Sequence, residues 1–228
     1  MEAIAIVGSI LLAFAIDAWW ADRQDRESEQ VALQTLREDF EASRQELGER
    51  LQTLENSRIQ FAEFQSFSPE DIEQLQQDAV DHMIAGITTG ATFDPFLGTI
   101  DAMVADGRLA LIRNQEIRKL LSTWLKAVDD IREDNFDVRS LAIRVRTALE
   151  PHGGPYYIHY FDQLGAPVPP VFPRADASAL AALRRDAPFV SAARSHQYAI
   201  SFYLVELHEL ARILDDTIGL IDQNIRQD

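Results

Sequence analysis

The chain has 228 residues, and its 37 acidic side chains against 21 Lys and Arg give a formal net charge of −16 at pH 7. This charge excludes nucleic acid as a partner, because phosphate binding needs clustered Lys and Arg. The absence of cysteine excludes disulfides, thiolate nucleophiles, iron–sulfur clusters and cysteine-ligated zinc. A hydrophobic share of 46% beside a charged share of 25% is typical of a folded protein.

The sequence opens with an apolar run over residues 3–16, which Asp17 ends. Extended by two residues, it would form a helix of roughly 24 Å, somewhat short of the ~30 Å hydrocarbon core of a bilayer. Its apolar residues occupy every face of the helix, and Trp19 and Trp20 follow where an interfacial aromatic belt is expected. We interpret residues 1–22 as a transmembrane anchor, with the lipid bilayer as a partner.

Two other interpretations of this run stay open. The Ala13-Phe14-Ala15 triplet has the form of a signal-peptidase site, although no Lys or Arg precedes the run, as a secretory signal requires. A buried helix of a soluble protein is the third possibility. Arg23 and Arg26 follow the run, so the positive-inside rule taken alone would place the rest of the chain in the cytoplasm.

Small residues spaced four apart suggest that the run packs against another helix. Ala5, Ser9 and Ala13 share one face with Asp17, and small residues at this spacing let membrane helices approach closely. Asp17 would be costly against lipid, so we expect it at the headgroup boundary or against a second helix.

The next segments carry helical patterns. Apolar residues repeat every seven positions from the anchor to about Phe64, which predicts a first long helix. The Ser68-Pro69 pair starts a second helix, and Asp94-Pro95 starts a shorter one. Asn114 caps a third long helix whose apolar seam alternates by four and three residues to Leu149. Asn135 is the one polar member of that seam, a position where an amide can set helix register.

The last helix starts at Asp186 and keeps the same alternation almost to the C-terminus. The seams must face one another, which predicts an all-α fold: a transmembrane helix continuing into an elongated antiparallel bundle with coiled-coil-like packing, residues 23–228. A loop rich in Pro and Tyr, residues 151–175, interrupts the bundle. Its aromatic residues are either a partner-binding patch or a lid over the bundle end; the candidates are Tyr156, Tyr157, His159, Tyr160 and Phe161.

Two stretches resemble a bacterial family of membrane-anchored helical proteins of unknown function. The first, GSILLAFAIDAWWADR, is similar to that family's apolar anchor ending in a polar box that contains Trp. The second, DGRLALIRNQEIRKLL, is similar to its Gly-x-Leu-x-Leu-Ile-x-Asn segment, which leads into a helix. Family members carry a basic segment before the anchor, whereas this sequence starts within it. The resemblance implies an anchored helical body at the bacterial inner membrane, outside the cytoplasm, and supplies no activity.

No catalytic or metal-binding motif occurs in the sequence. A di-iron bundle needs Glu-x-x-His pairs, which are absent, as are the Walker, GxGxxG, GxSxG and HExxH motifs. We therefore predict no catalytic residue, no metal and no cofactor. Two functions follow: a non-enzymatic membrane protein whose bundle self-associates or scaffolds a membrane complex, or a membrane-anchored sensory or ligand-binding module.

Overall fold

The computed structural model describes residues 2–152 and 175–225, with side chains from residue 6 onward. These residues form long helices that pack antiparallel, and no strand occurs among them, which confirms the all-α prediction. The long helices are α1 (Glu2–Ser66), α5 (Gln115–Leu149) and α7 (Ala187–Ile225). The shorter ones are α2 (Pro69–Ile72), α3 (Gln77–Thr88), α4 (Gly98–Ala105) and α6 (Ala177–Arg185), with 3-10 helices at Arg108–Leu111 and Glu150–His152.

The apolar seam predicted on the third long helix is the buried face of α5. Every apolar member of the seam is buried, whereas Asn135 is half-buried. The buried members are Ile117, Leu121, Trp124, Val128, Ile131, Val138, Ala142, Val145 and Leu149. The apolar residues predicted to form the seam of α7 are likewise buried from Ile200 to Ile221, except Ala211, which is half-buried. Alternation by four and three residues therefore identified the faces that pack together.

The transmembrane anchor predicted over residues 1–22 needs a correction. Among the residues that the structure describes, no helix is both long enough and apolar enough to cross a bilayer. Residues 2–22 form the first turns of α1, and charged residues at Asp17, Asp22 and Arg23 interrupt the apolar sequence there.

Two details of the predicted helices also differ. The helix expected to start at Ser68 does so, because the Ser68 hydroxyl accepts from the Asp71 amide and the Asp71 carboxylate accepts from the Ser68 amide. It ends after about one turn, however, and α3 resumes at Gln77. Helix α6 was not predicted, although Asp176 caps it by accepting from the Ala179 amide at 2.8 Å.

The described chain divides into two compact units. Unit 1 comprises Met1–Arg44, Phe96–Leu125 and Ile213–Asp228. In its core the rings of Phe40 and Trp124 lie 5.3 Å apart. At its surface Arg37 donates to the Asp222 carboxylate at 2.5 Å, which ties α1 to α7 within this unit and raises the pKa of Arg37.

Unit 2 comprises Gln45–Pro95 and Lys126–Arg212. Its core joins the end of α1 to α3, α6 and the adjoining parts of α5 and α7, and the ring of Phe64 meets that of Phe189 edge-on at 6.0 Å. The core residues of this unit include Val80, Met83, Ile84, Ile87, Val145, Leu149, Leu180, Leu183 and Ala193.

Gly86 lies where α1 and α3 approach each other closely. A Cβ atom built there would lie 2.6 Å from Cβ of Gln60, and the Ser57 hydroxyl donates to the Gly86 carbonyl at 2.5 Å. Atoms of α1 therefore already fill the space that a side chain at position 86 would need.

We expect Gly86→Ala to lower the free energy of unfolding by about 1–2 kcal/mol, because overpacking outweighs the gain in helix propensity. Gly48→Ala is the matched control, since Gly48 lies in the interior of α1 and a methyl group added there would have no other atom within 4 Å. The control should be neutral or slightly stabilising. Urea unfolding followed by circular dichroism measures both, and equal midpoints would contradict the close approach.

Candidate functional site

The N-terminal part of α1 exposes a large apolar surface. We call residues 6–20 the apolar end of α1. Its large apolar side chains are between 50% and 66% exposed and face all sides of the helix. They are Ile6, Val7, Ile10, Leu11, Leu12, Phe14, Ile16, Trp19 and Trp20. A contiguous apolar surface of this kind marks a site of contact with a partner or a membrane.

The sequence-predicted helix-packing residues lie on this surface. Ser9, Ala13 and Asp17 are exposed, and the Ser9 hydroxyl donates to the Ile6 carbonyl at 2.8 Å within the same helix. The side chain of Ala5 lies outside the described residues. The packing role of this face stays a prediction. Trp19 and Trp20 stand at the end of the apolar surface, with ring centroids 6.3 Å apart.

A charged cluster follows the apolar end at once. The Arg113 guanidinium donates to the Asp22 carboxylate at 2.6 Å, and the Arg113 backbone amide donates to the Glu29 carboxylate at 2.5 Å. Glu29 is buried, which is unusual for a carboxylate without such partners. We call Asp22, Glu29 and Arg113 the charged cluster.

The segment that carries Arg113 is built by its own sequence. Gly107 has a φ of 67°, a left-handed conformation that glycine adopts at little cost, and it starts the 3-10 helix Arg108–Leu111. Ile112 is then buried, and Asn114 caps α5 by accepting from the Glu116 amide at 2.9 Å. The predicted Asn114 cap is confirmed.

This arrangement brings the two resemblance stretches into contact. The polar box after the tryptophans supplies Asp22, and the segment DGRLALIRN supplies Arg113 and Asn114. Asn114 also donates to the Asn224 side chain of α7 at 3.1 Å. The segment thus joins α1, α5 and α7 within unit 1, directly beside the apolar end.

Paired arginines keep Asp22 ionised. Hydrogen bonds from Arg113 and then from Arg26 lower the pKa of the Asp22 carboxyl below its ordinary value. The same contact with Asp22 raises the pKa of Arg113. The apolar end of α1 therefore stops at a carboxylate that stays charged to lower pH than an isolated Asp.

Glu29 and Arg113 were missed at the sequence level. Glu29 lies four residues before Leu33, on the same apolar seam of α1. A carboxylate therefore occupies a position in that seam where an apolar residue is expected. A charged residue in a buried seam is a signal that a partner exists. The identity of that partner depends on the fold and could not be read from spacing.

Asn135 lies in unit 2 in a small polar network. Its side-chain amide donates to the Phe93 carbonyl at 3.2 Å, and its carbonyl oxygen accepts from the Tyr203 hydroxyl. The Phe93 amide in turn donates to the Tyr203 hydroxyl at 2.9 Å. Asn135 thus connects α5 to α7 and to the segment after α3, whereas its role in setting register stays a prediction.

The remaining predicted site residues belong to the loop rich in Pro and Tyr. Tyr156, Tyr157, His159, Tyr160 and Phe161 lie outside the described residues. In the part of the chain that is described, no three His, Asp or Glu side chains come together as a metal site would require.

A scan against protein-family models, a search of curated proteins and a search of solved structures found no match to the chain.

Proposed function

We propose that this chain is a non-enzymatic membrane-attached protein. The apolar end of α1 contacts the lipid of a bacterial inner membrane, and the helical bundle self-associates or scaffolds a membrane complex. The family resemblance supports a bundle outside the cytoplasm. The observation that carries the proposal is the exposure of the apolar end of α1, whose large side chains are at least half exposed on all sides.

The energetics of that surface support contact with lipid. Transfer of exposed apolar area out of water contributes roughly 25 cal/mol per Å², or about 1.5–3 kcal/mol for each large side chain that is fully removed from water. Trp19 and Trp20 at the boundary suit the headgroup region, and the charged cluster beyond them suits water. Apolar, aromatic and charged layers thus follow one another in the order that a bilayer surface presents.

A sensory or ligand-binding module is the second candidate. A groove of about 540 Å³ lies between α5 and α7 within unit 2, and this volume falls in the range of small-molecule sites. A bound metabolite that survives purification would favour this candidate over scaffolding.

Vesicle flotation tests the membrane attachment. We expect the full chain to float with phosphatidylcholine vesicles, which avoid repulsion between anionic lipid and a chain of charge −16. The double variant Ile10→Asp/Phe14→Asp should reduce the bound fraction at least tenfold, because each carboxylate near the middle of an apolar segment costs about 2.5–3.5 kcal/mol.

Val31→Asp is the matched control, since Val31 lies on α1 beyond the charged cluster and is 68% exposed. Its flotation should equal that of the wild type. A wild-type chain that stays at the bottom of the gradient would contradict membrane attachment, and so would a floating Ile10→Asp/Phe14→Asp variant.

A further inference from the structure

The outer face of α7 in unit 2 is unusually apolar. Tyr198, Phe202 and Val205 are 68%, 53% and 69% exposed, and the first two rings pack edge-on with centroids 4.6 Å apart. They follow one another by four and three residues, so they form one stripe on the helix. The stripe borders the groove of about 540 Å³, whose α5 side carries Asp137 and Leu141.

The two ends of this stripe carry opposite charge. At the N-terminal end, Arg194 donates to the neutral side chain of Gln65 at 3.2 Å and forms no ion pair with any described residue. At the C-terminal end stands Glu206, with Asp134 and Asp130 of α5 close by. None of these three carboxylates forms an ion pair with a residue that the structure describes.

The carboxylates at the C-terminal end are crowded. The hydrogen bond with Asp134 is the main cause that raises the pKa of Glu206 to about 7, and burial and the negative charges of Asp134 and Asp130 add to this shift. A second negative charge disfavours ionisation of the first, so a cation brought to this end would be stabilising.

The stripe is complementary to a copy of itself that runs in the opposite direction. Arg194 lies six residues before position 200 and Glu206 six residues after it, while Tyr198 and Phe202 lie two residues to either side. Six residues correspond to about 9 Å of helix. A two-fold axis at the height of residue 200 therefore brings each Arg194 to the same height along the helix axis as the Glu206 of the other copy, and each Tyr198 to the height of a Phe202.

We propose that the outer face of α7 over residues 194–206 packs antiparallel against the same face of a second copy of this chain. Self-complementary patches of this kind are what a two-fold dimer requires. A second copy suits the face better than a small ligand does, because the groove is open and the exposed stripe continues past it to Val205. The inference rests on the proposed self-association and names the surface that performs it.

Charge reversal tests the pairing. In sedimentation equilibrium of the full chain in a non-ionic detergent, we expect a dimer for the wild type. Arg194→Glu and Glu206→Arg should each weaken dimerisation at least tenfold, since each places like charges together at two symmetric positions. The double variant Arg194→Glu/Glu206→Arg should regain most of the affinity, because the pairs are restored with their signs exchanged.

Arg139→Glu is the control with the same change of charge, at an exposed position of α5 that does not line the groove. It should dimerise as the wild type does, and circular dichroism should show the same helix content in all variants. Dimers that are indifferent to both single reversals would overturn the proposed surface and leave self-association intact. A wild-type chain that is monomeric at all concentrations would overturn the self-association itself. Loss of affinity in the double variant as large as the two single losses combined would also contradict the pairing.

Discussion

Replacing Asn135 with leucine is expected to destabilise the protein by about 2–4 kcal/mol, because two buried polar groups each lose one hydrogen bond. The change leaves the Phe93 carbonyl and the Tyr203 hydroxyl without the hydrogen bonds that Asn135 provides. In a simple coiled coil the same replacement of a seam amide would raise stability at the expense of register. The expected sign is opposite here, since this amide is paired across the bundle. Urea unfolding of the two proteins measures the difference.

A double-mutant cycle with Tyr203 separates the network from simple packing. Tyr203→Phe removes the hydroxyl that bonds both Asn135 and the Phe93 amide. Neighbours that share hydrogen bonds show coupling energies of about 0.5–3 kcal/mol, so the double variant should lose less than the sum of the single losses. Strict additivity, or a more stable Asn135→Leu protein, would refute the role of this network.

Acidification is expected to destabilise the protein through His196, which is fully buried on α7. Burial is the main cause that lowers the pKa of His196 to about 4, while the hydrogen bond with the Ile87 carbonyl opposes this shift and the charge of Arg146 adds to it. The second ring nitrogen, Nε2, has no hydrogen-bond partner among the described residues. The folded protein therefore holds the ring neutral at pH values at which the unfolded chain protonates it.

This difference determines in which direction the stability of the protein changes with pH. The contribution of His196 is complete above pH 6.5, its ordinary pKa, and is lost progressively as the pH falls toward about 4. Between pH 7.5 and pH 4.5 the loss amounts to about 2.5 kcal/mol. Other groups titrate in the same interval, so the informative quantity is the difference in pH dependence between the wild type and His196→Gln.

We expect His196→Gln to flatten the fall in stability over this interval by about 2.5 kcal/mol. His82→Gln is the control, because His82 is exposed and its Nδ1 atom bonds only to the Asp78 carbonyl, one turn earlier in α3. Its pH dependence should match the wild type. Parallel curves for the wild type and His196→Gln would show that the ring is protonated in the folded state without penalty.

The helical architecture followed from the sequence because it rests on periodicity and local capping. Burial of the α5 seam from Ile117 to Leu149 repeats the alternation by four and three residues. The caps at Ser68 and Asn114 are local chemistry, in which a side-chain oxygen accepts from an amide two or three residues later. Such features depend on neighbours in the sequence, so spacing alone reveals them.

Pairings between distant residues could not be derived in this way. Asp22 meets Arg113 and Asn135 meets Tyr203 only because the helices pack as they do. The break after α2 is a similar case, since Ile72 is buried against other helices and nothing in the local sequence requires the chain to leave the helix at Glu73. The apolar residues before Asp17 mark a surface, but their sequence does not tell what covers it.

The charged cluster would limit how deeply α1 enters the membrane in the proposed attachment. Asp22 is bound to Arg113, and Arg113 belongs to a segment that α5 and α7 hold in place within unit 1. Drawing Asp22 below the headgroups would require either separating this pair or dragging two charges into hydrocarbon. The immersion of α1 would consequently end one turn beyond Ile16, and mild acid would not deepen it, because the arginines keep that carboxylate charged.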